Sequence, residues 1–374
     1  PHSENQKPST EISTEISADT NGKTSANKPI KQRNLHQDSH GLDSWHSLRL
    51  LRFHGDMLKA FARIGLSSVM KGQRPDSNPE QFTDVMMTLP APSVELVTPY
   101  QEWSQRGIEL VSPAPSLPFY QSDKNPNNTS FGSSLSLPVH FFSQFAIAVC
   151  AKQLRLTRYP LHRIINQGTG FRHHAAIPLG ERLKVTCKMQ PITEKNNRAR
   201  VHQILQIGTL EQPNCWEIDF HTLFILGKGD SKKRTNDSSE QVPPSWQSVG
   251  KWVVAPNDGW QFALLTGDFN PIHWVDWIAK KSPFGQKVLH GFGMFARTIA
   301  TLEASQQQSV KNIQVRFIGP ATLTGQHVDV FVTEQPINTL INASINTSKS
   351  VEPLFGLELR DSAGTVLLAG EVGF

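Results

Sequence analysis

A carboxylate and an imidazole stand five positions apart in the run Gly267-Asp268-Phe269-Asn270-Pro271-Ile272-His273. Held around one water, such a pair can take a proton at one point and supply one at another, which is the requirement of acid–base catalysis. The Asn-Pro step between them predicts a helix start. Asn270 is a favoured N-cap and Pro271 fits the first helical position, so His273 falls at the third helical residue. Gly267 frees Asp268 from the preceding helix and leaves it on irregular backbone. A histidine in a first helical turn meets the positive end of the helix, which favours the neutral ring. The same residues could equally form a capped turn in which Asp and His only satisfy backbone groups.

The flanking residues separate these readings. Phe262, Leu265 and Thr266 precede the run and Ala279 comes after it, without gap or substitution. The whole stretch resembles the signature of the MaoC-like (R)-specific enoyl-CoA hydratases, or hydratase 2, which are hot-dog-fold enzymes. The resemblance implies reversible hydration of a trans-2-enoyl thioester to the (3R)-hydroxyacyl thioester, or the dehydration direction, without cofactor or metal. Asp268 and His273 would grip the water that adds to carbon 3, with Asn270 capping the helix and orienting water or substrate. Which of the pair is the formal base stays open, since the two can titrate as a coupled unit. The thioester oxygen needs backbone N–H donors as charge develops. Gly291, directly after His290 at the opening of an apolar helix, matches the glycine the family uses there.

An acyl-CoA or acyl-carrier-protein substrate brings phosphates, and cations must meet them. Lys280, Lys281 and Lys287, between the motif and Gly291, are candidates, as is Arg316; each also reads as an ordinary surface charge. Gly293 and Ala296 keep the next helical turn slim, which suits an acyl tunnel or helix packing equally. His162 and His173-His174 do not form a metal set. Two other functions remain: a hot-dog acyl-CoA thioesterase, and a non-catalytic acyl-thioester-binding protein.

Elements able to position this motif are legible on both sides of it. Val288 to Leu302 reads as an apolar helix, followed by Val315-Arg316-Phe317, a Thr324-Gly325 turn and alternating strand residues. The same plan appears earlier: Pro138-Val139-His140-Phe141 opens an apolar helix, followed by Phe171-Arg172, Leu179-Gly180 and alternating residues. Each half ends in β-branched runs. One helix followed by antiparallel strands is the hot-dog plan, so the expected fold is α+β, a double hot-dog; two unrelated α+β domains are the alternative. The copies differ where chemistry occurs. Phe141 replaces Gly291, and Asp123-Lys124-Asn125-Pro126-Asn127-Asn128 echoes the motif with Asn128 in place of the histidine. One active site per chain is therefore expected, with the first half as partner and acyl-pocket wall.

The chain has 374 residues, long enough for about two domains. The expected organisation is a disordered arm over 1–43, an amphipathic helix and degenerate hot-dog over 44–227, a linker over 228–249 and the catalytic hot-dog over 250–374. The amphipathic stretch runs from Ser44 to about Met70 and is expected to pack on the domain behind it, with a membrane-surface helix as the alternative. A net charge of +5, with no basic run interleaved with aromatics, excludes nucleic acid as the expected partner. Cys150, Cys187 and Cys215 lack metal or redox spacing and read as buried free thiols. No stretch approaches the length of a membrane span. The N-terminus lacks a signal-peptide core and the C-terminus, Glu371 to Phe374, is not a peroxisomal address, so cytoplasm is expected. The oligomeric state is open, a homodimer included.

Overall fold

A computed structural model describes residues 45–55, 58–59, 78, 81–111, 136–161, 164–227, 245–337 and 353–374. The expected arm, the tract 228–244 and the echo Asp123–Asn128 lie outside the described residues.

The chain enters as a 3₁₀ segment, Trp45–His54, where the apolar spacing predicts an α-helix; positions beyond Lys59 of that stretch lie outside the described residues. Leu50 and His54 are buried, so this segment packs on the protein. Strand β1 (Val85–Leu89), helix α1 (Val94–Gln105) and a short strand β2 (Glu109–Leu110) come next. Ser93 caps α1 by accepting the Glu95 N–H at 3.3 Å. A 3₁₀ turn over Val139–Phe142 leads into helix α2 (Ser143–Leu154). Then come strands β3 (Ile164–His173), β4 (Leu183–Met189), β5 (Thr193–Lys195), β6 (Arg198–Thr209) and β7 (Trp216–Ile225).

The second half opens with strand β8 (Trp246–Val254) and helix α3 (Asp258–Thr266). A single turn α4 (Asp276–Ala279) precedes the long helix α5 (Gly291–Gln306). Strands β9 (Asn312–Phe317), β10 (Gln326–Thr333), β11 (Phe355–Asp361) and β12 (Val366–Gly373) close the chain. Because β8 begins at Trp246 and pairs with β10, residues 246–249 belong to the sheet and not to the linker expected over 228–249. Burial of Val249 is the physical reason.

The strands among the described residues join one antiparallel sheet in the order β1-β4-β6-β7-β3-β9-β12-β11-β10-β8-β2, with β5 beside β6. Reading outward from the central β3–β9 pair gives β7, β6, β4, β1 on one side and β12, β11, β10, β8 on the other. The same succession of strands, with a long helix after the first, is therefore used twice. This is the double hot-dog fold.

The halves also interlock. Strand β2 of the first half pairs with β8 of the second. Asp258, fully buried on α3, accepts from Trp103 Nε1 at 3.1 Å, Arg106 at 2.7 Å, Arg297 at 3.1 Å and the Ala255 N–H at 2.8 Å. A buried carboxylate is tolerable only with such a complete set of donors. The set ties α1, α3 and α5 together, which fixes α5 against the helix that leads into the motif. Trp103, Trp252, Phe262 and Phe295 are all buried in the same core. The three cysteines are free and buried, as expected. Among the described residues no helix is long and apolar enough to cross a membrane.

Candidate active site

Helix α3 is stopped by Gly267, whose φ of 79° lies in the left-handed region open to glycine. Its N–H closes on Ala263 O at 2.8 Å, and the chain turns so that the next residue leaves the helix axis. Asp268 therefore stands on irregular backbone, as the sequence implies. Its N–H donates to Thr266 Oγ1, and its own Oδ1 accepts the Asn270 N–H, both at 3.3 Å. Asn270 is the N-cap, its Oδ1 accepting the Ile272 N–H at 3.4 Å.

The segment after the cap differs from expectation. Pro271–His273 is a single 3₁₀ turn, and Trp274, at φ −144° and ψ −10°, ends it at once. Three residues align too few peptide dipoles to depress a histidine pKa. The His273 ring is nonetheless neutral, with its pKa lowered to about 3. Burial is the main cause and the neighbouring His290 the next, against the opposing pull of Asp268. Its Nδ1–H donates to Val288 O at 2.8 Å. A carbonyl only accepts, so the neutral ring presents Nε2 as an acceptor. Among the described residues the ring makes no hydrogen bond besides the one to Val288, which leaves Nε2 available. Asp268 keeps an exposed edge but lies within the bulk of the protein, which raises its pKa; His273 and the Asn270 N–H oppose the rise.

A second histidine completes the arrangement. The His290 ring stacks on that of His273 with centroids 3.6 Å apart and planes at 27°. Its Nε2–H donates to the main-chain oxygen of Asp268 at 2.9 Å. Burial lowers its pKa to about 3 as well. In the sequence His290 reads only as the opening of a helix. The signal that could have found it is the repeated histidine at the start of both long helices.

Gly291 is the first residue of α5, and His290 at the N-cap supplies no side-chain cap to the leading N–H groups. A Cβ on Gly291 would come within 3.0 Å of the Phe317 ring, so glycine is what leaves this end of the helix open. Gly293 is a packing residue: a Cβ there would meet Leu289 at 3.0 Å and Trp103 at 3.4 Å. Of the two roles open for Gly293, helix packing is the one these contacts support.

The candidate cations are less concentrated. The hydrogen bond from His273 to Val288 closes residues 274–287 into an excursion that starts and ends at the site. Lys280 and Lys281 are exposed on it, Lys281 with its Nζ 5.5 Å from the centre of the Trp277 ring. Lys287 is half-buried and paired with Asp276 at 3.3 Å. Arg316 is not brought to the site. On β9 it alternates with Val315 and Phe317, and Phe317 is the residue that faces Gly291, so Arg316 projects from the opposite face. Strand alternation, invisible until the register is known, is the reason.

A cavity of about 290 Å³ lies in the first half, walled by Met87, Leu89, Leu96, Phe145, Val149 and Leu183. Phe53 and His54 also line it. The His54 ring lies edge-on to Phe269, with centroids 6.4 Å apart.

Two hot-dog repeats thus carry, in the second, a carboxylate, an imidazole and an open helix end. Residues 236–352 match the family model of the MaoC like domain. The fold is shared with HtdX of Mycobacterium tuberculosis, at 16% identity and a TM-score of 0.51, over 78% of this chain and 100% of that one. A MaoC-like dehydratase from Phytophthora capsici is similar over 78% of this chain and 95% of its own, at 15% identity and a TM-score of 0.54. The full-length peroxisomal multifunctional enzyme type 2 of Drosophila melanogaster is similar over 78% of this chain and 48% of that one, at 14% identity and a TM-score of 0.50. No curated protein sequence gives a significant match.

Proposed function

We propose that the protein reversibly hydrates trans-2-enoyl thioesters to (3R)-hydroxyacyl thioesters, with Asp268 and His273 as the catalytic pair. The observation that carries this reading is the state of His273: a neutral ring with Nδ1–H committed to Val288 and Nε2 free to accept, beside a carboxyl group whose pKa is raised. In the hydration direction a water donates to His273 Nε2. Its oxygen bonds to carbon 3 as the proton passes to the ring, and the carbon 2–carbon 3 π electrons move toward the thioester carbonyl. Asp268 orients the same water, and carbon 2 takes a proton from the Asp268–His273 pair, which has gained one from the water. The negative charge borne by the thioester oxygen in between is met by the leading N–H of α5 at Gly291. Asn270 fixes the turn that separates the two catalytic groups. The acyl chain enters the apolar cavity of the first half, and the excursion bearing Lys280, Lys281 and Lys287 meets the phosphates of the carrier.

Incubation with crotonyl-CoA and with a longer trans-2-enoyl-CoA, followed by enoyl absorbance and chiral analysis of the product, tests this reading. The expected result is loss of the enoyl signal with formation of the (3R)-hydroxyacyl-CoA. Release of free CoA without hydration would instead identify a hot-dog thioesterase. Tight binding without turnover would identify a non-catalytic acyl-thioester-binding protein.

A further inference from the structure

The 3₁₀ segment Trp45–His54 lies ahead of both repeats, yet its last residue reaches the catalytic turn. His54 is 1% exposed. Its Nε2–H donates to the main-chain oxygen of Leu264 at 2.7 Å. Leu264 lies in the last turn of α3, where a helix leaves carbonyls without internal partners. The same ring packs on the turn beyond the helix: a Cβ on Gly267 would come within 2.9 Å of His54 Cγ. It also lies edge-on to Phe269. His54 thus touches the residues immediately before and immediately after Asp268. Burial lowers its pKa, so the ring that makes these contacts is neutral, with its remaining nitrogen, Nδ1, unpartnered among the described residues.

From these contacts we infer that His54 is a positioning residue for Asp268, clamping the α3 terminus and the Gly267–Phe269 turn. The inference rests on the catalytic reading above. The turn has two holds. His290 takes the main-chain oxygen of Asp268, and His54 takes the helix end from which Asp268 emerges. The backbone around the carboxylate is therefore pinned by two imidazole donors that stand outside the acid–base pair. Without His54 the helix end loses a donor and Gly267, free to adopt many conformations, loses the ring against which it rests. A displacement of about 1 Å in a catalytic group can cost on the order of 10²-fold in rate.

Two variants of the full chain separate positioning from bulk packing. His54→Leu fills the space without a donor, and His54→Gln restores an N–H donor. With crotonyl-CoA, His54→Leu is expected to lower kcat roughly 10–100-fold with little change in KM, because the loss lies in catalytic geometry rather than in substrate binding. His54→Gln is expected to recover most of that loss. Amide hydrogen exchange over residues 264–272, measured on the same proteins, gives a readout independent of turnover. Faster exchange confined to that segment in His54→Leu, and restored by His54→Gln, is the expected result. Normal kcat with unchanged local exchange in a folded His54→Leu protein overturns the inference. So does a uniform rise in exchange across the molecule, or equal damage by both variants, since either would make His54 a packing residue only. If the wild-type chain fails to hydrate crotonyl-CoA, the catalytic reading falls, while local exchange still decides whether His54 holds the turn.

Discussion

The two halves of the molecule use one plan, yet among the described residues only the second sets a carboxylate and an imidazole beside the start of its long helix. In each, a buried histidine stands just ahead of or at the start of the long helix: His140 in the first half and His290 in the second. Their partners differ. His140 Nδ1 lies 3.1 Å from the Tyr100 hydroxyl, which itself donates to His140 O at 2.7 Å. His290 instead holds the main chain of Asp268 and stacks on His273. The next residue makes the second difference. Phe141 is fully buried and packs edge-on against Tyr100, centroids 5.0 Å apart. Gly291 leaves its helix end open. Among the described residues, the first half fills the same ground with aromatic core, although Ser143 Oγ at the head of its helix is buried without a partner, and the second keeps ring nitrogens without protein partners there. His290 Nδ1 is one such group, buried and unpartnered among the described residues. An unpaired nitrogen of this kind costs stability.

The sharpest way to break this comparison is to remove either member of the pair. Asp268→Asn and His273→Ala are each expected to lower crotonyl-CoA hydration by ~10²–10⁴-fold, the usual loss for an acid–base group. Circular dichroism should confirm that both proteins remain folded. Closing the helix end comes next. Gly291→Val sets side-chain atoms against Phe317 and across the leading N–H groups, and losing one oxyanion donor costs ~10²–10³-fold in kcat. Because that contact strengthens as charge develops, KM should change less than kcat. A variant of lowered melting temperature whose folded fraction turns over normally would show that Gly291 only packs.

Acid stability probes the buried histidines of both halves together. His140, His273 and His290 have folded pKa values of about 3 against an ordinary 6.5. As pH falls below 6.5 the unfolded chain takes protons that the folded chain refuses, so the stability these groups contribute is lost on the way toward pH 3. At pH 5 each histidine withdraws on the order of 2 kcal/mol. Glu303, raised to about 7 by burial, acts in the opposite direction, since its folded form binds the proton more readily. Asp268 acts in the same sense as Glu303. Urea denaturation is expected to show a net loss on the order of a few kcal/mol between pH 7 and pH 5; equal stability at the two values would contradict the neutral histidines. The smallest effect is expected from the echo motif. Asp123→Ala and Asn128→Ala should leave hydration of crotonyl-CoA within a few-fold of wild type, and a fall as deep as that of Asp268→Asn would make the echo a working site.

Much of this difference is legible in the chain itself. The Gly-Asp-x-Asn-Pro-x-His run, the Asn270 cap, the Gly267 stop and the exchange of Phe141 for Gly291 are local features, and local chemistry decides them. The repeat of helix and strands is visible because both halves preserve the order of apolar blocks. The hidden part depends on distant pairing. His54 meets Leu264 across 210 positions, and no pattern within the first 60 residues announces it. Asp258 and Arg297 meet only when α1, α3 and α5 come together. Arg316 reads as a candidate phosphate ligand or an ordinary surface charge until the register of β9 turns it to the other face. The cause of His273's neutrality is also non-local: burial and His290 supply it, where the sequence suggests a helix end.

A double-mutant cycle on Asp268 and His273, followed by crotonyl-CoA hydration, tests the central claim most directly. If the two groups act on one water as a unit, Asp268→Asn combined with His273→Ala should be about as slow as the worse single variant, because the second removal finds nothing left to disable. Losses that multiply would mean two independent contributions, and a folded single variant retaining more than about half of wild-type activity would remove that residue from the catalytic pair.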